Sequence, residues 1–156
     1  MSSANEVRSH ISWIGIGSGV AAALLAIYAV LGDPRTGPEQ TEQARTLPYV
    51  VVFALVFAAA VFMFLVPWAA RATNHTRRPT IVGFVCSLLS LLLLLPAVWS
   101  GLPIILGGAG FALGQVGREH ASTTGQRVFA LITVVIGVLS VLGSVAITLL
   151  DHFMII

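Results

Sequence analysis

The sequence predicts an all-α helical bundle embedded in a membrane, with about five passes. Three observations carry that expectation. Of 156 residues, 57% are hydrophobic and only 9% are charged, with a mean hydropathy of +0.97, whereas an ordinary soluble domain carries roughly 25% charged residues. Four segments, Ile11–Leu31, Pro48–Ala70, Thr80–Ser100 and Val128–Leu150, hold no charge, and each matches the roughly 20 apolar residues that cross about 30 Å of hydrocarbon. A fifth uncharged stretch, Gly101–Gly117, lies between the last two. Helix is the form expected, because lipid satisfies no open backbone groups and the segments lack the alternation of barrel strands. Such a composition excludes most soluble enzymes and DNA-binding modules. The whole chain, 1–156, reads as one membrane domain, its loops too small to fold alone.

Taken in order, the polar Met1–His10 precedes Ile11–Leu31, a 21-residue run. That is longer than the apolar core of a signal peptide and is expected to be a retained anchor. Gly32–Leu47, with Pro34, Gly37 and Pro38 among Gln and Glu, reads as a polar, irregular loop before span 48–70. Arg71–Pro79 is a short basic loop closed by proline, leading into span 80–100. Pro96 and the run Ser100-Gly101-Leu102-Pro103 look like the turn of a helical hairpin. The segment 101–117 contains six glycines. It is either a short fifth span or a re-entrant segment in a four-pass bundle, and its Gly110–Gly114 spacing favours close helix packing. The last span, 128–150, ends at Asp151 and His152, which read as its cap.

All eight basic residues are arginine. With five passes and a cytoplasmic N-terminus, Arg8, Arg71, Arg77, Arg78, Arg118 and Arg127 lie inside, and Arg35 and Arg45 outside. Four passes divide the arginines evenly, so the positive-inside rule favours five. Trp13 and Trp68 fall at predicted inner ends, and Tyr28, Tyr49 and Trp99 at outer ends, the headgroup depth that amphipathic rings prefer.

No chemistry stands out. None of the five stretches contains Asp, Glu, Lys, Arg or His, the groups that mark proton relays and substrate paths in membranes, so a self-sufficient transporter is not expected. Cys86 is alone, and no metal-ligand spacing occurs. Gly107-Gly108-Ala109-Gly110 lacks the Lys-Ser/Thr ending of a phosphate loop. No catalytic residue, cofactor, metal or nucleic-acid partner is expected. What remains are small-residue faces at Gly15 and Gly19, Gly110 and Gly114, and Ser140 and Ser144. They serve either packing within the bundle or a partner interface. Arg71, Arg77 and Arg78 are placed to set topology or to meet anionic lipid headgroups.

The stretch Arg77–Leu150 reads RRPTIVGFVCSLLSLLLLLPAVWSGLPIILGGAGFALGQVGRE, a polar turn, then QRVFALITVVIGVLSVLGSVAITLL. It resembles the small actinobacterial membrane domains of unknown function built as a leucine-rich helix, a Gly-rich return helix, a basic turn and a second Gly-containing helix. The lysine-free composition is in keeping with a GC-rich genome. The chain is also similar to accessory subunits of actinobacterial assemblies such as mycobacterial lipid importers or respiratory supercomplexes. The resemblance implies a non-catalytic protein of the bacterial plasma membrane that packs against a larger integral membrane complex and contacts membrane lipids. The alternative is an oligomeric pore or small-solute transporter component lined by Ser and Gly.

Overall fold

The computed structural model describes the backbone of residues 2–31, 38–71, 77–97 and 100–154, and the side chains of residues 13–28, 45–71, 77–97 and 100–150. Among these the protein is all-helical, with no strand. Helix α1 spans Ser2–Leu31, and α2, Pro38–Ala60, runs through a π-helical turn, Val61–Leu65, into α3, Val66–Ala70. Then come α4, Arg77–Leu92, α5, Leu102–Glu119, and α6, Thr124–Met154. Ala60, Leu65 and Val66 all keep right-handed helical angles, so α2, the π turn and α3 form one continuous rod. Two helices, Arg45–Ala70 and Thr124–Leu150, are long and apolar enough to cross a membrane by length and composition.

The rods alternate in direction. Thr80 lies against Gly117, Ser87 against Gly110 and Ser90 against Gly107, so α4 and α5 are antiparallel. Gly114 meets Ala130 and Val134 while Gly107 meets Gly137 and Val141, which makes α5 and α6 antiparallel too. On the other side Gly15 meets Phe62, Gly19 meets Ala58, and α1 crosses α5 through Ser18 at Gly108 and Ala22 at Gly101.

Helix α5 is the centre. Every residue from Pro103 to Gly110 is buried, and α1, α4 and α6 all pack on it. The Gly-rich segment is therefore one uninterrupted helix lying alongside α4, not a broken one that turns back. Glycine's low propensity is overcome because a buried backbone must bond internally, and because three neighbours approach where no Cβ stands between them. Gly101 supplies the reversal before it, at φ +71°, which an L side chain adopts only at a cost. Ser100 Oγ donates to the Ala97 carbonyl (2.6 Å) and accepts from the Leu102 N–H (3.3 Å), closing the corner.

Several boundaries differ from the sequence-based expectation. The polar loop expected over 32–47 is helical from Pro38 onward. Proline at the first position is preorganised for helix, and the Glu, Gln, Ala and Arg that follow are good helix formers whatever their polarity. The segment Thr80–Ser100 is helical only to Leu92 before a run of turns. Pro96 has no N–H to return to the Leu92 carbonyl and disfavours helix at Leu95. Asp151 and His152 do not end the last helix, which continues to Met154. At its start, Thr123 Oγ1 accepts from the Gln126 N–H (3.3 Å) and Gln126 Oε1 accepts from the Ser122 N–H (3.0 Å), a cap like the capping box but with Gln126 reaching one residue further back.

Candidate functional site

Two features stand out once the rods are placed: a sealed core of glycine and hydroxyl groups, and an open groove beside the π turn.

In the core, α5 presents Gly107, Gly110, Gly114 and Gly117 at helical spacing, and its neighbours answer with short side chains. A Cβ at Gly110 would meet Ser87 Oγ and, at 2.9 Å, the Gly83 carbonyl. Helix α4 is tied across the core by Ser87 Oγ donating to the Thr133 carbonyl (3.0 Å) and Ser90 Oγ donating to the Pro103 carbonyl (2.5 Å). On α6 three hydroxyls fold back onto their own helix, Thr133 to Phe129, Ser144 to Ser140 and Thr148 to Ser144. Ser140 Oγ is buried without a hydrogen-bond partner. Burying a hydroxyl unpaired costs about 1–3 kcal/mol by protein mutational data, whereas an interhelical hydrogen bond in a membrane averages about 0.6 kcal/mol. Ser140→Ala is therefore expected to be neutral or stabilising, and Ser87→Ala mildly destabilising. Unfolding of the two variants in mixed detergent micelles checks the opposite signs.

All six small residues singled out in the sequence, Gly15, Gly19, Gly110, Gly114, Ser140 and Ser144, are buried inside the bundle. Gly15 accommodates the Phe62 ring and Gly19 the Ala58 methyl. They belong to internal packing, and their faces are occupied. A glycine on the outside of α1, Gly17, has no heavy atom within 4 Å of a Cβ built on it. Cys86 is a buried free thiol, and no metal-holding cluster of His, Cys, Asp or Glu occurs among the described residues.

The groove forms where the α2–α3 rod changes pitch. Pro67 has no N–H for the Met63 carbonyl and its ring crowds that oxygen. The Val66 N–H bonds instead to Val61, five residues back, the signature of a π turn, which is often found at functional sites. The extra residue turns Phe62 inward over Gly15 and Gly108 and leaves Met63 and Phe64 more than 70% exposed. The resulting open groove of about 610 Å³ has an apolar floor that includes Ala60, Phe64, Pro67 and Trp68, with Arg71 at the end that follows α3. The Arg78 guanidinium sits 5.0 Å over the Trp68 ring, a cation–π contact that ties α4 to the groove. Of the three arginines expected near headgroups, Arg71 lines the groove, Arg78 stands beside it and Arg77 is exposed at the start of α4. Sequence reasoning did not find the groove; Pro67 within an apolar run, followed by Trp68 and Arg71, was its only signal.

Comparison with family models, curated proteins and solved structures yields no match.

Proposed function

We propose that this chain is a small non-catalytic integral membrane protein of five passes that serves as an accessory or stabilising subunit of a larger membrane complex, of lipid-import or respiratory type. The observation that carries this reading is that bulky apolar side chains cover the outside of the bundle while small residues, hydroxyls among them, are gathered inside. Glycine, alanine, serine and threonine fill much of the interior around a few larger side chains such as Ile105, Leu113 and Val66, while leucine, isoleucine, valine and phenylalanine cover the outside of α1, of the α2–α3 rod, of α4 and of α6, among them Leu24, Phe53, Leu92, Leu139 and Leu142. Exposed apolar patches beyond a few hundred Å² mark contact with membrane or protein. Here exposed apolar side chains recur along four of the five rods, a cover that suits lipid along most of its extent and a neighbouring subunit where that subunit docks.

The ends of the rods support the topology. Among the described side chains, Arg71, Arg77, Arg78, Arg118 and Arg127 gather at one end, while Arg45 lies toward the other, an asymmetry that by the positive-inside rule favours a cytoplasmic side for the crowded end and the N-terminus. Trp13 and Trp68 are exposed toward the arginine end, and Tyr28 and Tyr49 toward the opposite one; Trp99 lies outside the described residues. At 1.5 Å per residue, Trp13 to Tyr28 spans about 22 Å and Tyr49 to Trp68 about 28 Å, close to the depth between two interfacial belts. A pore within one bundle finds no support, since Gly110 and Ser140 sit in packed core and added bulk at Gly110 would push on Ser87.

Purification of the tagged full chain from native membranes in mild detergent, followed by mass spectrometry, tests the proposal. A larger integral membrane partner is expected at stoichiometric yield. Recovery as a lone monomer would overturn the accessory role, and recovery from the soluble fraction without detergent would overturn the membrane reading itself.

A further inference from the structure

The groove beside the π turn is shaped for a ligand with one apolar arm and one anionic end. We propose that it binds an anionic phospholipid drawn from the surrounding bilayer, with the phosphate held by Arg71 and Arg78 and one acyl chain lying along Met63, Phe64 and Pro67. The proposal rests on the membrane reading above but not on the existence of a protein partner.

Polarity is graded along the groove. Its floor is apolar and the end after α3 carries Arg71, two turns beyond Met63, so about 12 Å separates them along the axis. Its volume of about 610 Å³ falls within the range of sites that hold small ligands. The cation–π contact uses only the face of the Arg78 guanidinium. The five N–H donors lie in the plane of the group and remain directed at its rim, where a phosphate accepts two at once. No carboxylate pairs with Arg71 or Arg78 among the described residues, where Glu119 is the one acidic side chain. Two guanidiniums thus flank a tryptophan at the end where the chain's basic residues gather. The apolar floor distinguishes a lipid from a free phosphate, which would make no use of it. The π turn explains why the groove is here: a regular helix would carry no step between Met63 and Trp68.

Quenching of Trp68 reads occupancy directly. The full chain with Trp13→Phe and Trp99→Phe is placed in nanodiscs of unlabelled phosphatidylcholine. Phosphatidylglycerol or phosphatidylcholine with brominated chains is then added at equal mole fractions. The anionic lipid is expected to reach half-maximal quenching at a mole fraction at least about five-fold lower, the preference that a single arginine near an anionic headgroup confers. Arg71→Gln with Arg78→Gln should bring the two lipids onto one curve, and Ala60→Phe, which fills the floor, should weaken quenching by the anionic lipid. Equal quenching by both lipids in the starting protein overturns the proposal, and so does selectivity that survives loss of both arginines. Should the variants fail to fold, native mass spectrometry of the unaltered chain decides the same question: preferential retention of phosphatidylglycerol over phosphatidylcholine supports the site, and equal retention refutes it. Failure to enter nanodiscs would instead count against the membrane reading.

Discussion

Gly137→Ala is expected to destabilise the bundle more than any other single-methyl addition to α6. A Cβ at Gly137 lies 2.7 Å from the Gly107 carbonyl oxygen and 3.1 Å from the Phe111 nitrogen. Both are backbone atoms of α5, so no rotamer change relieves the clash. Nor is α5 free to retreat, because a Cβ's space at Gly110 is already filled by Ser87 and the Gly83 carbonyl of α4. Helix α6 must therefore lift away, and the Ser87–Thr133 hydrogen bond goes with it. Overpacking of a well-filled core costs typically about 1–3 kcal/mol, and valine at the same position should exceed that range. Gly17→Ala is the internal control. With nothing within 4 Å of its added methyl, it should leave stability unchanged or raise it by up to about 1 kcal/mol through helix propensity. Denaturant titration in mixed micelles, followed by circular dichroism, separates the two. Equal behaviour of Gly137→Ala and Gly17→Ala would show that α5 and α6 do not cross where Gly107 meets Gly137.

The contrast between Gly17 and its neighbours Gly15 and Gly19 shows where the sequence stops being informative. Apolar run length and charge placement are local properties, and they located five helical segments, the 101–117 helix included. Which side of each helix faces inward depends on a contrast between apolar and polar faces, and α1 has none: Ile16, Val20 and Leu24 point outward as Gly15, Gly19 and Ala22 point in. Small residues supply the only cue, and Gly17 carries the same cue outward. The inward assignment of Gly110 and Gly114 is fixed by their partners on other helices, which spacing within one helix does not reveal, and Ser140 and Ser144 are buried on the same terms. Polarity misled over 38–47 because a polar helix and a polar loop share a composition. The groove was hidden for another reason: Pro67 announces a disturbance, but the choice between a kink and a π turn depends on whether Phe62 finds room, and that room is made by Gly15 and Gly108 on two other helices.

The second large effect is expected at the corner before α5, where two independent costs coincide. Gly101→Ala would place a methyl 2.7 Å from the Ala22 Cβ, 3.0 Å from the Ala22 oxygen and 3.1 Å from its Cα, and would hold an L side chain at φ +71°. The left-handed conformation alone costs roughly 1–2 kcal/mol, and the collision adds about 1–3 kcal/mol of overpacking. A double-mutant cycle separates them. Ala22→Gly removes the methyl–methyl contact but neither the Ala22 backbone atoms nor the φ requirement, so the double variant should recover only part of the loss. Thermal unfolding of the four proteins in one detergent supplies the cycle. Full recovery in the double variant would mean that the left-handed turn contributes nothing, and no recovery that the Ala22 methyl is not what the added side chain meets. Because Ser100, Gly101 and Leu102 also set the start of α5, relaxing the turn should shift the glycine ladder against α4. Gly101→Ala is then expected to weaken the Ser90–Pro103 contact first, as faster amide exchange in the opening turn of α5 than around Gly114.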